Sequence, residues 1–159
     1  METLAVYDEH PIRIYGLEAQ EGFCWLTTSR PQAGLAELSD WQSLEQAPSP
    51  AFFCATLREG RLVLRMCLAQ ADLAGMLEAL PALGLTPVLP ARPVCLIQLQ
   101  GPHFGDRYGI ASAALASLAQ VGATPLGMGA VVHSLFLVVE PAQADLALRG
   151  LGQAFSAPN

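Results

Sequence analysis

Charged side chains are scarce in this chain: Asp, Glu, Lys and Arg make up 14% of its 159 residues. The eight basic residues form no run, and the net charge at pH 7 is −6. Nucleic-acid binding depends on a clustered basic face, so the sequence argues against a nucleic-acid partner. Hydrophobic residues make up 52%, which favours a packed core and argues against disorder.

The four cysteines lack the spacings that hold metals; they are Cys24, Cys54, Cys67 and Cys95. None belongs to a CxxC pair, and no Cys/His arrangement matches a zinc site. All four lie in apolar, strand-like segments, as reduced core cysteines of a cytoplasmic protein do. The sequence therefore predicts no metal site, no cofactor and a cytoplasmic location.

Targeting and membrane segments are not predicted either. The first ten residues have neither a basic start nor a long apolar core, so we expect no signal peptide. Residues 108–139 carry no formal charge when His133 is neutral, but Gly122, Pro125, Gly127 and Gly129 interrupt them. The pattern changes from helical to alternating midway, which predicts a buried helix and strand rather than a membrane span.

An internal repeat is the most informative feature that the chain does contain. The segment Ala69-Gln70-Ala71-Asp72-Leu73-Ala74 recurs as Ala142-Gln143-Ala144-Asp145-Leu146-Ala147. An alternating, strand-like segment precedes each copy in the same register, Leu62-Val63-Leu64 and Leu135-Phe136-Leu137. This repeated strand–helix unit predicts two similar small domains rather than a solenoid.

The second half of the chain predicts the order strand, helix, strand, strand, helix. Gly122 ends the first helix, and Pro141 begins the second at a position where its missing N–H costs little. The predicted elements are a strand at Val94–Leu99, a loop at Gly101–Gly109, a helix at Ile110–Val121, strands at Pro125–Ala130 and Ser134–Val139, and a helix from Pro141.

The first half predicts a weaker version of the same order. Its predicted elements are a strand at Phe23–Thr28, a short helix around Leu35–Leu44, a hairpin of Phe52–Leu57 with Arg61–Leu68 about Glu59-Gly60, a helix at Ala71–Leu83 and a proline-rich linker at Leu85–Pro93. Strand-like segments at Leu4–Tyr7 and Ile12–Tyr15 precede them. Few residues follow the last helix, so we expect an N-terminal strand to complete the second domain's sheet.

Two sets of residues carry a resemblance to a known family. Leu99-Gln100-Gly101-Pro102, followed by Gly109-Ile110-Ala111 with Leu115 and Leu118, is similar to the strand-to-helix loop of aspartokinase-type ACT domains. Glu9 to Ile14, Trp25-Leu26 and Phe52-Phe53, with Thr56 before Leu64, resemble the amino-acid-sensing CASTOR proteins and their small bacterial relatives. The resemblance covers nearly the whole chain.

This resemblance implies an α+β fold of two ferredoxin-like ACT domains with βαββαβ order, antiparallel sheets and helices on one face. The implied domains are residues 1–90, which contribute the N-terminal strand to domain 2, and residues 91–159. The chain departs from the bacterial relatives at Gly129–His133, so their ligand preference does not transfer. Ser29–Gln32 replaces the glycine-marked loop in the first half, which therefore lacks a predicted site.

Amino-acid binding is the function that the resemblance implies. Backbone N–H groups at a helix start, aided by the helix dipole, bind a carboxylate, and Asp106 is placed to pair with an ammonium. Small residues on the facing strand leave room for a ligand side chain. The predicted ligand-binding residues are Gly101, Pro102, His103, Phe104, Asp106, Tyr108, Gly109, Ile110, Met128, Gly129 and Ala130. The alternative is an ordinary connecting loop whose glycines only make turns.

Catalysis is not predicted, because no activated Ser or Cys accompanies His103 and Asp106. An enzyme would have to use the loop Gly101–Gly109, which is the only credible location. The sequence favours a non-enzymatic regulatory protein that binds an amino acid at a domain or subunit interface and forms a homodimer. The alternative is a ligand-free interaction module that regulates an amino-acid biosynthetic enzyme. Neither requires a membrane.

Overall fold

A computed structural model describes residues 11–31, 47–102, 104 and 107–157. The elements of these residues, in chain order, are β1 (Ile12–Arg13), β2 (Gly16–Pro31), β3 (Phe52–Arg58), β4 (Arg61–Ala69), α1 (Leu73–Ala79), β5 (Thr86–Gln100), α2 (Ile110–Gln120), β6 (Gly127–Val131), β7 (Ser134–Val139), α3 (Ala144–Ala154) and β8 (Phe155–Ser156). The predicted strand Leu4–Tyr7 and the predicted helix around Leu35–Leu44 lie outside the described residues.

The chain divides into two compact units. The terminal unit comprises Met1–Ala19 and Ile97–Asn159, and the central unit comprises Gln20–Leu96. The domain bounds expected from the sequence, 1–90 and 91–159, stay a prediction. No helix of the described residues is long and apolar enough to cross a bilayer.

The central unit has the strand order β3-β4-β2-β5. β4 pairs antiparallel with β2 and with β3, and Trp25 and Phe52 both lie opposite Cys67. If the four strands are numbered by their order in the chain, their order across the sheet is 2-3-1-4. This is the ferredoxin-like arrangement. The predicted hairpin is confirmed: Glu59 and Gly60 both have positive φ, 49° and 72°, as a tight two-residue turn requires.

The core of the central unit lies on one face of its sheet. Leu26, Leu64 and Met66 point from the strands toward Met76 of α1, and each is at most 6% exposed. Alternate residues of a strand point to opposite faces, so the neighbouring positions of β4 lie on the face of the sheet opposite α1. The predicted helix Ala71–Leu83 is divided: a 3-10 turn precedes α1, and a second one with Pro81 follows.

The terminal unit repeats this strand order with its own elements. β5 lies beside β7, which pairs antiparallel with β6, and β2 lies on the other side of β5. The Tyr15 N–H donates to the Gln100 carbonyl at 2.6 Å. The segment before the central unit thus completes the sheet of the closing half, as predicted.

The residues after α3 add a short strand that the sequence analysis did not predict. β8 pairs parallel with β1, with Ile12 opposite Phe155, and the Ile14 N–H donates to the Ser156 carbonyl at 2.9 Å. Ile12, Ile14 and Phe155 are at most 5% exposed. Their burial holds both ends of the described chain in the terminal unit.

The prediction of a linker at Leu85–Pro93 is wrong. β5 runs without a break from Thr86 to Gln100, through prolines at positions 87, 90 and 93. β5 is the last strand in the order of the central unit. Proline donates no backbone hydrogen bond and is tolerated where no partner strand needs its N–H; all three prolines lie in the part of β5 that belongs to the central unit, before Ile97.

Both copies of the sequence repeat lie where a strand gives way to a helix. A 3-10 turn begins at Gln70 after β4, and another begins at Pro141 after β7. Each turn leads directly into an α-helix, α1 or α3. The repeat therefore marks equivalent places in the two units.

The cysteines are free thiols, as predicted, and Cys24, Cys67 and Cys95 are buried. Burial, together with the thiols of Cys24 and Cys95, raises the pKa of Cys67 to about 12. Burial also raises the pKa of Cys24. Among the described residues, no group of three His, Cys, Asp or Glu side chains is arranged to hold a metal.

We expect Cys54 to react with a thiol reagent in the native protein and the buried cysteines not to react. Thiolate is the reactive form, and the raised pKa of Cys67 leaves almost none at about pH 8. A chromogenic disulfide reagent should label half-buried Cys54 in native protein and all four thiols after denaturation. Cys54→Ser should remove the native reaction and Cys67→Ser should leave it; the reverse result would contradict the assigned burial.

The close packing of α2 on α3 gives a stability prediction with a matched control. A Cβ at Gly150 would lie 2.8 Å from the backbone carbonyl oxygen of Ser117, whereas one at Gly152 would meet nothing within 4 Å. Gly150→Ala should lower the free energy of unfolding by about 1–3 kcal/mol. Gly152→Ala should raise it by roughly 0.5–1 kcal/mol through helix propensity. Urea unfolding measures both, and a stabilising Gly150→Ala would refute the packing.

Candidate ligand-binding loop

The candidate site is the connection between β5 and α2 in the terminal unit. β5 delivers Gly101, which is buried and whose N–H donates to the His133 carbonyl at 3.1 Å. His133 lies in the turn between β6 and β7. The start of the loop is therefore attached to the tip of this hairpin.

The ring of Phe104 lies close to the backbone of Gly101 and leaves no space there for a side chain. A Cβ at Gly101 would overlap Phe104, with the ring atoms Cζ and Cδ1 at 2.8 and 2.9 Å. The half-buried ring thus covers the backbone at the start of the loop. Pro102 between them is half-buried. The predicted site residues His103 and Asp106 lie outside the described residues.

The end of the loop forms the beginning of α2. Gly109 has a φ of 87° and precedes the first helical residue, Ile110, which is only 6% exposed. The Gly109 carbonyl accepts the first hydrogen bond of the helix, from Ala113 at 2.8 Å. Glycine adopts this left-handed conformation at no steric cost. Gly109 therefore allows the chain to turn into α2 at this point.

The first N–H groups of α2 form the donor set of the loop. The first turn of an α-helix leaves N–H groups without intrahelical partners, and here no side chain of the described residues caps them. The first turn of α2 also contains no acidic residue, whereas Asp145 lies in the first turn of α3. A helix start of this kind, with its dipole, favours an anion.

The three residues predicted to face the loop lie in β6, which is not adjacent to β5. Met128, Gly129 and Ala130 lie in β6, opposite Leu137, Phe136 and Leu135 of β7. β7 separates β6 from β5, and successive residues of β6 point to opposite faces of the sheet. The three residues therefore do not form one surface, and their role in binding stays a prediction.

Sequence reasoning missed the hairpin tip and Tyr15 beside the loop, whereas it included Tyr108. Val131 and Val132, next to His133, are 59% and 67% exposed, and Tyr108 within the loop is 89% exposed. Tyr15, whose N–H is bonded to Gln100, is 67% exposed. Alternation along β6 predicts a hairpin there, but no local pattern indicates that its tip meets Gly101.

Solved structures of other proteins share this fold. The ligand-free regulatory subunit of aspartate kinase from Thermus thermophilus is 17% identical, with a TM-score of 0.75 over 90% of this chain and 99% of that one. The regulatory subunit from Thermus flavus is 18% identical, with a TM-score of 0.71 over 89% and 97%. A Vibrio cholerae protein of unknown function, a possible transport protein, is 22% identical, with a TM-score of 0.56 over 91% and 92%.

No family model and no curated protein matches the chain. The solved structures establish the fold: the chain shares the architecture of the regulatory subunits of aspartate kinase, with ferredoxin-like units. The resemblance to aspartokinase-type ACT proteins, first inferred from Leu99–Pro102 and Gly109–Ala111, is thereby confirmed at the level of the fold.

We expect the packing of Phe104 on Gly101 to be measurable by substitution. Gly101→Ala forces the ring away from the backbone and should lower the free energy of unfolding by about 1–3 kcal/mol. Gly16→Ala is the control, since its Cβ would meet nothing within 4 Å. The melting temperatures of both variants, measured by thermal unfolding, are compared with that of wild type. Equal stabilities would show that Phe104 does not cover Gly101.

Proposed function

We propose that this chain is a non-enzymatic regulatory protein of the cytoplasm that binds a small amino acid through the loop from Gly101 to Ile110. The observation that carries the proposal is the uncapped start of α2 behind Gly109. A carboxylate is one of the anions that the N–H groups and the dipole of a helix start bind. Asp106, in the same loop, supplies the carboxylate for the ligand ammonium.

The fold supports the regulatory part of the proposal. Solved structures with this architecture include regulatory subunits of aspartate kinase. We therefore propose that the partner is an enzyme of amino-acid biosynthesis, and that the ligand favours one of two states of the protein, which shifts the population toward it.

A homodimer is the assembly that we propose. Val131 and Val132 are exposed at the hairpin tip that is bonded to Gly101, and Tyr108 is exposed within the loop; large exposed apolar side chains are where partners bind. Twofold pairing is the commonest way in which soluble proteins cover such a surface. The ligand would then lie next to a subunit interface.

A second candidate function is a ligand-free interaction module that regulates the same class of enzyme. It is favoured by the central unit, where β2 continues as a strand through Ser29, Arg30 and Pro31. No glycine stands at these three positions, where the terminal unit has Gly101 at the start of its loop, and the central unit would then serve as a contact surface.

A thermal-shift panel of the twenty amino acids tests the proposal, with paired glycine variants as its control. Gly109 and Gly122 lie at opposite ends of α2, with φ values of 87° and 74°, and a Cβ at either would meet nothing within 4 Å. Alanine at either position costs about 1–2 kcal/mol of strain. We expect one amino acid to raise the melting temperature of wild type and of Gly122→Ala.

The same amino acid should have little effect on Gly109→Ala, because the strain reorients the N–H groups that hold its carboxylate. A saturating ligand at about 100 times its dissociation constant stabilises by roughly 2.7 kcal/mol, which is readily detected. If both variants respond alike, the ligand binds elsewhere. A flat panel, with a purified amino-acid biosynthetic enzyme retained on the immobilised protein, would favour the interaction module instead.

A further inference from the structure

Three arginines share the face of the central unit's sheet that lies opposite α1. Arg58 lies directly opposite Arg61 across the β3–β4 hairpin, and Arg65 lies opposite Cys54. Positions 61 and 65 of β4 point to the same face, because side chains alternate along a strand. Leu64 and Met66 point the other way, into the core. Positive charge is thus concentrated on one face of a chain with a net charge of −6.

Two of these cations lie along β3. The Arg65 Nη1 donates to Thr56 Oγ1 at 3.4 Å, which holds this guanidinium over β3. Thr56 lies two residues before Arg58 in the same strand. Arg61 turns the other way, with Nη2 donating to Ser29 Oγ on β2 at 2.7 Å. Two residues of a strand span about 7 Å. The charges at Arg58 and Arg65 therefore match the spacing of alternate side chains on an adjacent strand.

The arginines have no anionic partner among the described residues; their side-chain hydrogen bonds are those of Arg61 to Ser29 and Arg65 to Thr56. Like charges directly opposite each other weaken a strand pair, and Arg58 faces Arg61 in this way. An anion bound at this face would relieve the repulsion. Arginine is well suited to the task, since its planar fork bonds a carboxylate through two N–H groups.

β3 is also the last strand in the order of its unit. Its outer edge pairs with no strand of the described residues, and such an edge can accept an added strand. On the face opposite the arginines, Phe53 and Leu57 are 56% and 53% exposed. The edge strand thus offers cations on one face and apolar side chains on the other.

We infer that β3 binds an extended segment of a partner protein in which acidic and apolar residues alternate. The segment adds to the sheet by backbone hydrogen bonds, places acidic side chains two residues apart against Arg58 and Arg65, and packs apolar side chains beside Phe53 and Leu57. A second copy is disfavoured, because antiparallel pairing of β3 with itself brings both sets of arginines onto one face.

A labelled peptide of alternating Glu and Val residues is the probe, and fluorescence anisotropy with the full-length protein is the measurement. We expect it to bind more tightly than a Lys/Val peptide of the same pattern and than a Glu/Val peptide with its residues in two blocks. The double variant Arg58→Gln with Arg65→Gln should weaken binding by about tenfold. Arg149→Gln, an exposed position on α3, is the control and should change nothing.

Equal binding of the three peptides, or unchanged affinity of the double variant, would overturn the inference. So would a dimer, seen by sedimentation, that Phe53→Ser converts to monomer, since a second copy would then cover β3. This inference stands apart from the proposed amino-acid site, because β3 belongs to the central unit. Loss of peptide binding should leave the amino-acid thermal shift of the double variant unchanged.

Discussion

The closure of the terminal unit by the N-terminal segment is the constraint on which the rest of the structure depends. The Tyr15 N–H bonds the carbonyl of Gln100, the residue just before the candidate loop, and neighbouring Ile14 is 2% exposed. A strand that precedes the central unit therefore fixes the end of β5 from one side. The hairpin tip at His133 fixes Gly101 from the other. Between these anchors the loop begins at a defined place.

The geometry of the loop follows from glycine at two positions and for two reasons. At Gly101 the ring of Phe104 occupies the space that a side chain would need. At Gly109 the backbone adopts a positive φ that lets α2 begin in its observed direction. The first glycine is thus a packing requirement and the second a conformational one. The first helical turn that follows Gly109 supplies the N–H groups that we propose bind a ligand carboxylate.

Sequence patterns predicted the elements that have strong periodicity. The repeat around Ala69 and Ala142 indicated two similar units. The N-terminal segment was expected to complete the second sheet; the strand beside β5 is β2, whereas β1 at Ile12–Arg13 pairs with β8. Sequence patterns failed where the structure of a segment depends on its neighbours in the sheet rather than on its own residues. The prolines of residues 85–93 indicate a linker locally, yet β5 runs through them without a break. The meeting of Gly101 with His133 is a contact between residues 32 positions apart, which no local pattern contains.

An NMR titration tests the central claim most directly. The 16.8 kDa chain is small enough for backbone amide resonances to be followed while a single amino acid is added. The account predicts that the largest shifts occur at the amides of Gly109, Ile110 and Ala111, and that they saturate together. Shifts confined to the central unit, or no shifts with any of the twenty amino acids, would contradict it.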